Sequence, residues 1–127
     1  MYLWSKNDNV ENNHKGPGAA RNSGIRHASQ KWIAFIDSDD IWYPNKLNRV
    51  KEIIESNSDT NFVFHNEMHK KLNGEQSILN DFGSNYQENK PLILQVWRSC
   101  IFHTSSIVCH QNLISKSGLF NEDYMTA

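Results

Sequence analysis

Trp32-Ile33-Ala34-Phe35-Ile36-Asp37-Ser38-Asp39-Asp40 is the stretch on which the reading of this sequence turns. Its apolar run, Trp32 to Ile36, has no alternation, the pattern of a strand buried on both faces as in a parallel sheet. The run then stops abruptly at clustered aspartates. Side chains alternate along an extended segment, so the spacing predicts Asp37 and Asp39 on one side and Ser38 on the other. Carboxylates at the carboxyl end of a buried strand lie where open α/β sheets bind ligands. They repel one another unless a cation joins them, and Mg²⁺ or Mn²⁺ answers that need while keeping positions open for a diphosphate. The plainer alternative is that Asp37, Asp39 and Asp40 cap the next helix or decorate a turn. That reading leaves three acids directly after an apolar strand without a reason.

Working outward, Gly16-Pro17-Gly18 is a turn signal, with Pro17 suited to a first helical turn, where no N–H is needed. A short helix is predicted over Ala19 to Ala28, with Ala20, Gly24, Ile25 and Ala28 on its inward stripe. After the aspartates, Pro44 opens an amphipathic helix to about Glu55. Its apolar face carries Leu47, Val50, Ile53 and Ile54, and its polar face Lys46, Arg49, Lys51 and Glu52. Asn61 to His65 reads as the next strand. Asn73-Gly74 is a two-residue hairpin signal set in polar flanks, and Gln76 to Lys90 reads as a surface insertion. Pro91 to Cys100 resembles a helix or buried segment, Ser105 to Cys109 a strand, and Gln111 to Ser117 a helix stopped by Gly118. Alternating helices and strands predict an α/β domain with a largely parallel sheet flanked by helices.

Composition narrows the function classes. Thirteen Lys and Arg nearly balance fourteen Asp and Glu, so the charge footprint of a nucleic-acid partner is missing. The sequence has no apolar run of membrane-spanning length, and Met1 to Lys15 is polar and Asn-rich, so a flexible lead-in and a cytoplasmic location are expected. Cys100 and Cys109 suit buried thiols better than a disulfide framework. The histidines lack paired CxxC or HExxH spacing, so His65, His69, His103 and His110 are expected to be solvated or packed rather than zinc ligands.

Taken in order, Gly16-Pro17-Gly18-Ala19-Ala20-Arg21-Asn22-Ser23-Gly24-Ile25, then Trp32 to Phe35, then Ile36-Asp37-Ser38-Asp39-Asp40-Ile41-Trp42-Tyr43-Pro44-Asn45-Lys46-Leu47 resemble family 2 glycosyltransferases. The likeness resumes at Thr104 to Val108 and at Ser117-Gly118-Leu119-Phe120-Asn121-Glu122. It implies residues 16–127 as part of a GT-A, Rossmann-like domain that binds a nucleotide-sugar donor and a saccharide or lipid-linked acceptor. It also implies an inverting, metal-dependent transfer in cell-surface polysaccharide synthesis, with peripheral association at the inner face of the membrane. By the same resemblance, Asp39 stands closest to Mg²⁺ or Mn²⁺, Asp37 nearer the ribose or diphosphate, and Asp40 on the metal or its water. Arg21 and Asn22 fall in the donor-binding set, with Arg21 beside the nucleotide or holding the acidic loop. Trp42 reads as core, with the acceptor cleft as its functional alternative.

The sequence departs from the family pattern in three places. His14 stands where Asn is frequent. The family's opening strands, which grip the nucleobase, have no counterpart before Gly16, and the Glu-Asp pair that supplies the general base would follow Ala127. An incomplete central piece is therefore expected, with Asp123 the weak candidate for the base. Two rivals remain: an inactive remnant or binding module, and a haloacid-dehalogenase-like phosphatase, whose Asp-x-Asp nucleophile motif continues with small residues rather than Ile41-Trp42.

Overall fold

In the computed structural model, which describes residues 15–99 and 102–124, the first element is helix α1, Gly16–His27. Pro17 sits in its opening turn and Arg26 and His27 in its last, a charge placement that complements the helix dipole. Its buried face is Gly18, Ala19, Asn22, Ser23 and Ile25. The predicted stripe therefore needs correction, because Ala20 is exposed and a polar residue, Asn22, occupies the core. The expected lead-in lies almost wholly outside the described residues, as does Cys100; Cys109 is a buried free thiol, and burial pushes its pKa up to about 11.

Strand β1 is Trp32–Ala34, shorter than predicted. Ile33 is buried, but Ile36 is 49% exposed, so the run is not covered on both faces to its end. Beyond Ala34 the backbone leaves the ladder, with Phe35 N–H donating to the Ile107 carbonyl. Helix α2, Lys46–Ser56, follows the acidic segment. Its solvent face carries Arg49–Glu52 and Lys51–Glu55 pairs at 2.6 and 3.6 Å, each worth a few tenths of a kcal/mol. Lys46 is buried beside Val50 rather than lying on the polar face.

Strand β2 is Phe62–Val63, and Phe62, Phe64, Phe82 and Phe102 stack with ring centroids 5.3 to 6.4 Å apart. Aromatic pairs at such separations add about 0.5–1.5 kcal/mol each beyond their buried area. The hairpin signalled at Asn73-Gly74 is formed by β3, Glu67–Lys70, and β4, Gln76–Asn80, paired antiparallel, and β4 opens the segment read as a surface insertion. This hairpin departs from the expected parallel pattern. The Gly74 N–H returns to the Lys71 carbonyl and Lys71 N–H to Glu75, so the loop closes with Gly74 at φ +85°, a conformation that glycine adopts without a Cβ clash. Short helices follow at Phe82–Asn85 (α3), capped by the Asp81 carboxylate on the Ser84 N–H, and at Leu92–Ser99 (α4).

Thr104–Ser106 forms a tight 3-10 turn where a strand is predicted, and strand β5 begins only at Val108, running to His110. The reason is local: the Ser106 and Ile107 N–H groups fold back on the His103 and Thr104 carbonyls. Helix α5, Gln111–Ser117, follows at once, its first turn capped by His110, and it ends at Gly118 as predicted. Chain contacts define two compact units, one reaching Ala34 and resuming at Cys109, the other Phe35–Val108. The short strands β1, β5 and β2 are neighbours in that order in one three-stranded sheet. Val108 has no exposed surface, a burial worth about 1.5–3 kcal/mol.

Candidate functional site

The acidic segment in the second unit is a turn, not an extended strand end: Asp40 N–H closes on the Asp37 carbonyl at 3.1 Å. The alternation argument for Asp37 and Asp39 therefore does not hold. Three carboxylates are still gathered within four residues, with Asp37 half-buried and Asp39 and Asp40 exposed.

Ser105 anchors this turn. Its Oγ accepts the Asp37 N–H at 2.8 Å, while its carbonyl accepts both the Trp42 indole N–H at 3.1 Å and Lys46 Nζ at 2.8 Å. The Lys46 ammonium also lies 3.8 Å from the Trp42 ring centroid, a cation–π arrangement. Burial pushes the Lys46 pKa down to about 8, against the opposing pull of Glu67 and Asp40. Glu67 in turn accepts from His103 at 2.7 Å. His65 is held below its ordinary pKa, chiefly by burial.

Sequence reasoning missed Ser105 as a site residue and misplaced Lys46. A signal for Lys46 was present, since it stands four residues before Val50 and so shares its face. Ser105 carried no such signal, because its partners lie 59 to 68 residues away.

Arg21 and Asn22 belong to the first unit. The Arg21 guanidinium stands 5.6 Å from the Phe120 ring centroid. Asn22 is 1% exposed; its amide nitrogen donates to the Phe120 carbonyl and Glu122 Oε1, both at 2.8 Å, and its oxygen accepts the Phe120 N–H at 2.9 Å. Glu122 is further approached by Arg26 at 3.4 Å, and the Asn22 hydrogen bond, followed by the Arg26 charge, lowers its pKa. Asn22 thus clasps the turn after Gly118 rather than facing solvent. Asp123 is exposed, its N–H closing on Asn121 Oδ1 at 2.8 Å.

Among the described residues, no three His, Cys, Asp or Glu side chains form a ready metal cage. Mg²⁺ and its like do not require one: they bind through one or two carboxylates, waters and substrate phosphates. The exposed oxygens of Asp39 and Asp40 fit that mode. Nor is any helix among the described residues long and apolar enough to cross a membrane.

The acidic turn follows the first strand among the described residues, and the comparisons with known proteins give the family in which this order of motifs occurs. The pattern described as Glycosyl transferase family 2 matches residues 9–119, and the chain belongs to that family, whose fold is GT-A. That match runs through Asp37 to Lys46 and replaces the phosphatase reading. An uncharacterized glycosyltransferase of Rickettsia bellii is 37% identical over 84 residues, 66% of this chain and 11% of the relative. UDP-Glc:alpha-D-GlcNAc-diphosphoundecaprenol beta-1,3-glucosyltransferase of Escherichia coli is 58% identical over 33 residues, 26% of this chain and 13% of that protein. Succinoglycan biosynthesis protein ExoO of Rhizobium meliloti is 51% identical over 39 residues, 31% and 11% of the two chains. The chain thus spans only about a tenth of the length of these relatives. No solved structure matches it.

Proposed function

We propose that the Asp37 to Asp40 turn holds the diphosphate of a nucleotide-sugar through Mg²⁺ or Mn²⁺, in an inverting glycosyl transfer to a saccharide or lipid-linked acceptor. The observation that carries this reading is the gathering of three carboxylates in one tethered turn, two of them open to solvent. Asp39 would be the principal ligand, Asp40 a second ligand or the holder of a metal-bound water, and Asp37 the group nearer the ribose or diphosphate. When bound, the cation neutralises charge on the departing diphosphate. The acceptor oxygen forms its bond to the anomeric carbon as the bond from that carbon to the phosphate oxygen breaks. The nucleoside diphosphate leaves with the electron pair, and the acceptor proton goes to a general base. Glu122, clasped by Asn22 and Arg26, is unsuited to be that base; Asp123 remains the candidate to test by Asp123→Asn.

Arg21 is proposed to lie beside the nucleotide, as a planar cation suited to phosphate. The Escherichia coli and Rhizobium relatives favour envelope or exported polysaccharide as product and UDP as a first probe. Work at the inner face of the cell membrane belongs to the same proposal, as the place where a lipid-linked acceptor of that kind would be met by an enzyme without a membrane span of its own among the described residues. The test is calorimetry of UDP binding to the chain with and without Mn²⁺. Mn²⁺-dependent binding that Asp39→Ala removes is the expected result; equal binding by parent and variant would sink the assignment.

A further inference from the structure

We propose that Ser105 is a positioning residue for the acidic turn, setting the presentation of its carboxylates to a divalent cation through the hydrogen bond from Asp37 N–H to its hydroxyl. The inference rests on the donor-site reading above and adds to it a residue outside the acidic motif.

A four-residue turn with exposed aspartates has no intrinsic reason to keep one orientation, since like charges drive its side chains apart. One backbone bond, Asp40 N–H to the Asp37 carbonyl, closes the turn on itself, and a bond of that kind within the turn does not by itself fix its attitude to the rest of the unit. Ser105 ties it from outside the turn, through the Asp37 N–H. The serine is 4% exposed, and its neighbour Ser106 is fully buried with its hydroxyl donating to the His103 carbonyl at 2.7 Å, so the hydroxyl that meets Asp37 stands on a fixed base. The same residue is held from its other end: Lys46 Nζ and Trp42 Nε1 both donate to its carbonyl, and the Lys46 ammonium lies over the Trp42 ring. The turn, the tryptophan two residues beyond it and the first residue of α2 therefore converge on one serine.

A carbonyl that accepts two donors, one of them cationic, cannot rotate without losing a charge-assisted bond, so the backbone from which the Ser105 hydroxyl projects is itself tied to Trp42 and Lys46. Metal ligation through one or two carboxylates gains from such fixing, because ligands that are already oriented lose less freedom when the ion binds.

The test uses Ser105→Ala and Ser105→Thr in the 127-residue chain, with two readouts: hydrogen exchange of the Asp37 amide by NMR, and the Mn²⁺ concentration giving half-maximal UDP binding. Loss of one hydrogen bond of ordinary strength predicts that both rise roughly fivefold in Ser105→Ala. Ser105→Thr, which keeps the oxygen, should restore both. Should Ser105→Ala not fold, Lys46→Met releases the carbonyl instead and should move both readouts in the same direction. A purely structural serine would lower the unfolding midpoint and leave the Mn²⁺ requirement unchanged, and that result overturns the proposal. A parent chain with no Mn²⁺-dependent binding would instead remove the donor-site reading and the positioning role with it, an outcome distinct from a parent that binds and a variant that binds equally well.

Discussion

Asn22 and the Asp37 to Asp40 turn both belong to the family-like motifs, yet they are built in opposite ways. Asn22 is a polar residue at a core position, with both ends of its amide engaged by Phe120 and Glu122. The acidic turn has its backbone tied and two of its three carboxylates, Asp39 and Asp40, exposed. A buried amide whose donors and acceptor are met internally has nothing left to offer a ligand without breaking what it holds. Exposed like charges gathered on a fixed backbone have the reverse property: they gain from a cation. The contrast makes Asn22 the clasp of the turn beyond Gly118.

The largest expected effect tests that clasp. Asn22→Asp keeps the shape but sets an acceptor against the Phe120 carbonyl and the Glu122 carboxylate, where the amide donated at 2.8 Å to each. Loss of two buried donor bonds, with acceptors left facing one another, should destabilise the fold by about 3 kcal/mol or more by denaturant unfolding. Asn22→Asp with parental stability would mean that the clasp is not made in solution. Asp39→Ala should do the opposite: weaken Mn²⁺-dependent UDP binding by at least roughly tenfold, about 1.4 kcal/mol, while stability stays within about 0.5 kcal/mol. A variant that lost stability and kept binding would reverse the comparison.

Gly18 sharpens it at a smaller scale. A Cβ there would stand 2.5 Å from the Asn121 carbonyl oxygen, which is backbone and cannot swing aside as a flexible side chain could. Alanine gains roughly 1 kcal/mol in helix propensity, but overpacking costs about 1–3 kcal/mol, so Gly18→Ala should be net destabilising by about 1 kcal/mol in thermal or denaturant melts. A more stable Gly18→Ala would show that the turn does not sit against α1.

What was legible in the sequence follows the same division. The acidic motif, α2 and the stop of α5 at Gly118 announce themselves through local composition, turn residues and helical period. Asn22 did not, because its role depends on Phe120 and Glu122, 98 and 100 residues away, and no local pattern carries that pairing. Lys46 was misread because its charge was given more weight than its spacing from Val50. The β3–β4 hairpin was legible only at its turn, Asn73-Gly74: its strands include Glu67, His69, Lys70, Gln76 and Ser77, and exposed two-stranded ribbons need no apolar alternation to pair.

The smallest effect concerns pH and arises from that misread lysine. With its folded pKa pushed down to about 8 from the ordinary 10.5, Lys46 carries a buried charge below about pH 8, and folding bears the full penalty there. Between about 8 and 10.5 the unfolded chain binds more protons at this site than the folded one, so stability rises with pH through that window. Cys109 works the other way: its thiol is pushed up to about 11 from 9.0, so the unfolded chain loses the proton first and stability falls between about 9 and 11. The two contributions overlap above pH 9 and partly cancel, leaving pH 8 to 9 as the interval where Lys46 acts with least opposition. Unfolding midpoints should therefore climb slightly across that interval in the parent chain and stay flat in Lys46→Met, which retains a long apolar stem over Trp42 without the charge. Above pH 9 the variant should lose stability faster than the parent, since only the Cys109 contribution is left. Parallel curves for the two proteins from pH 7.5 to 10.5 would mean that Lys46 titrates as it does in water and is not buried against Ser105.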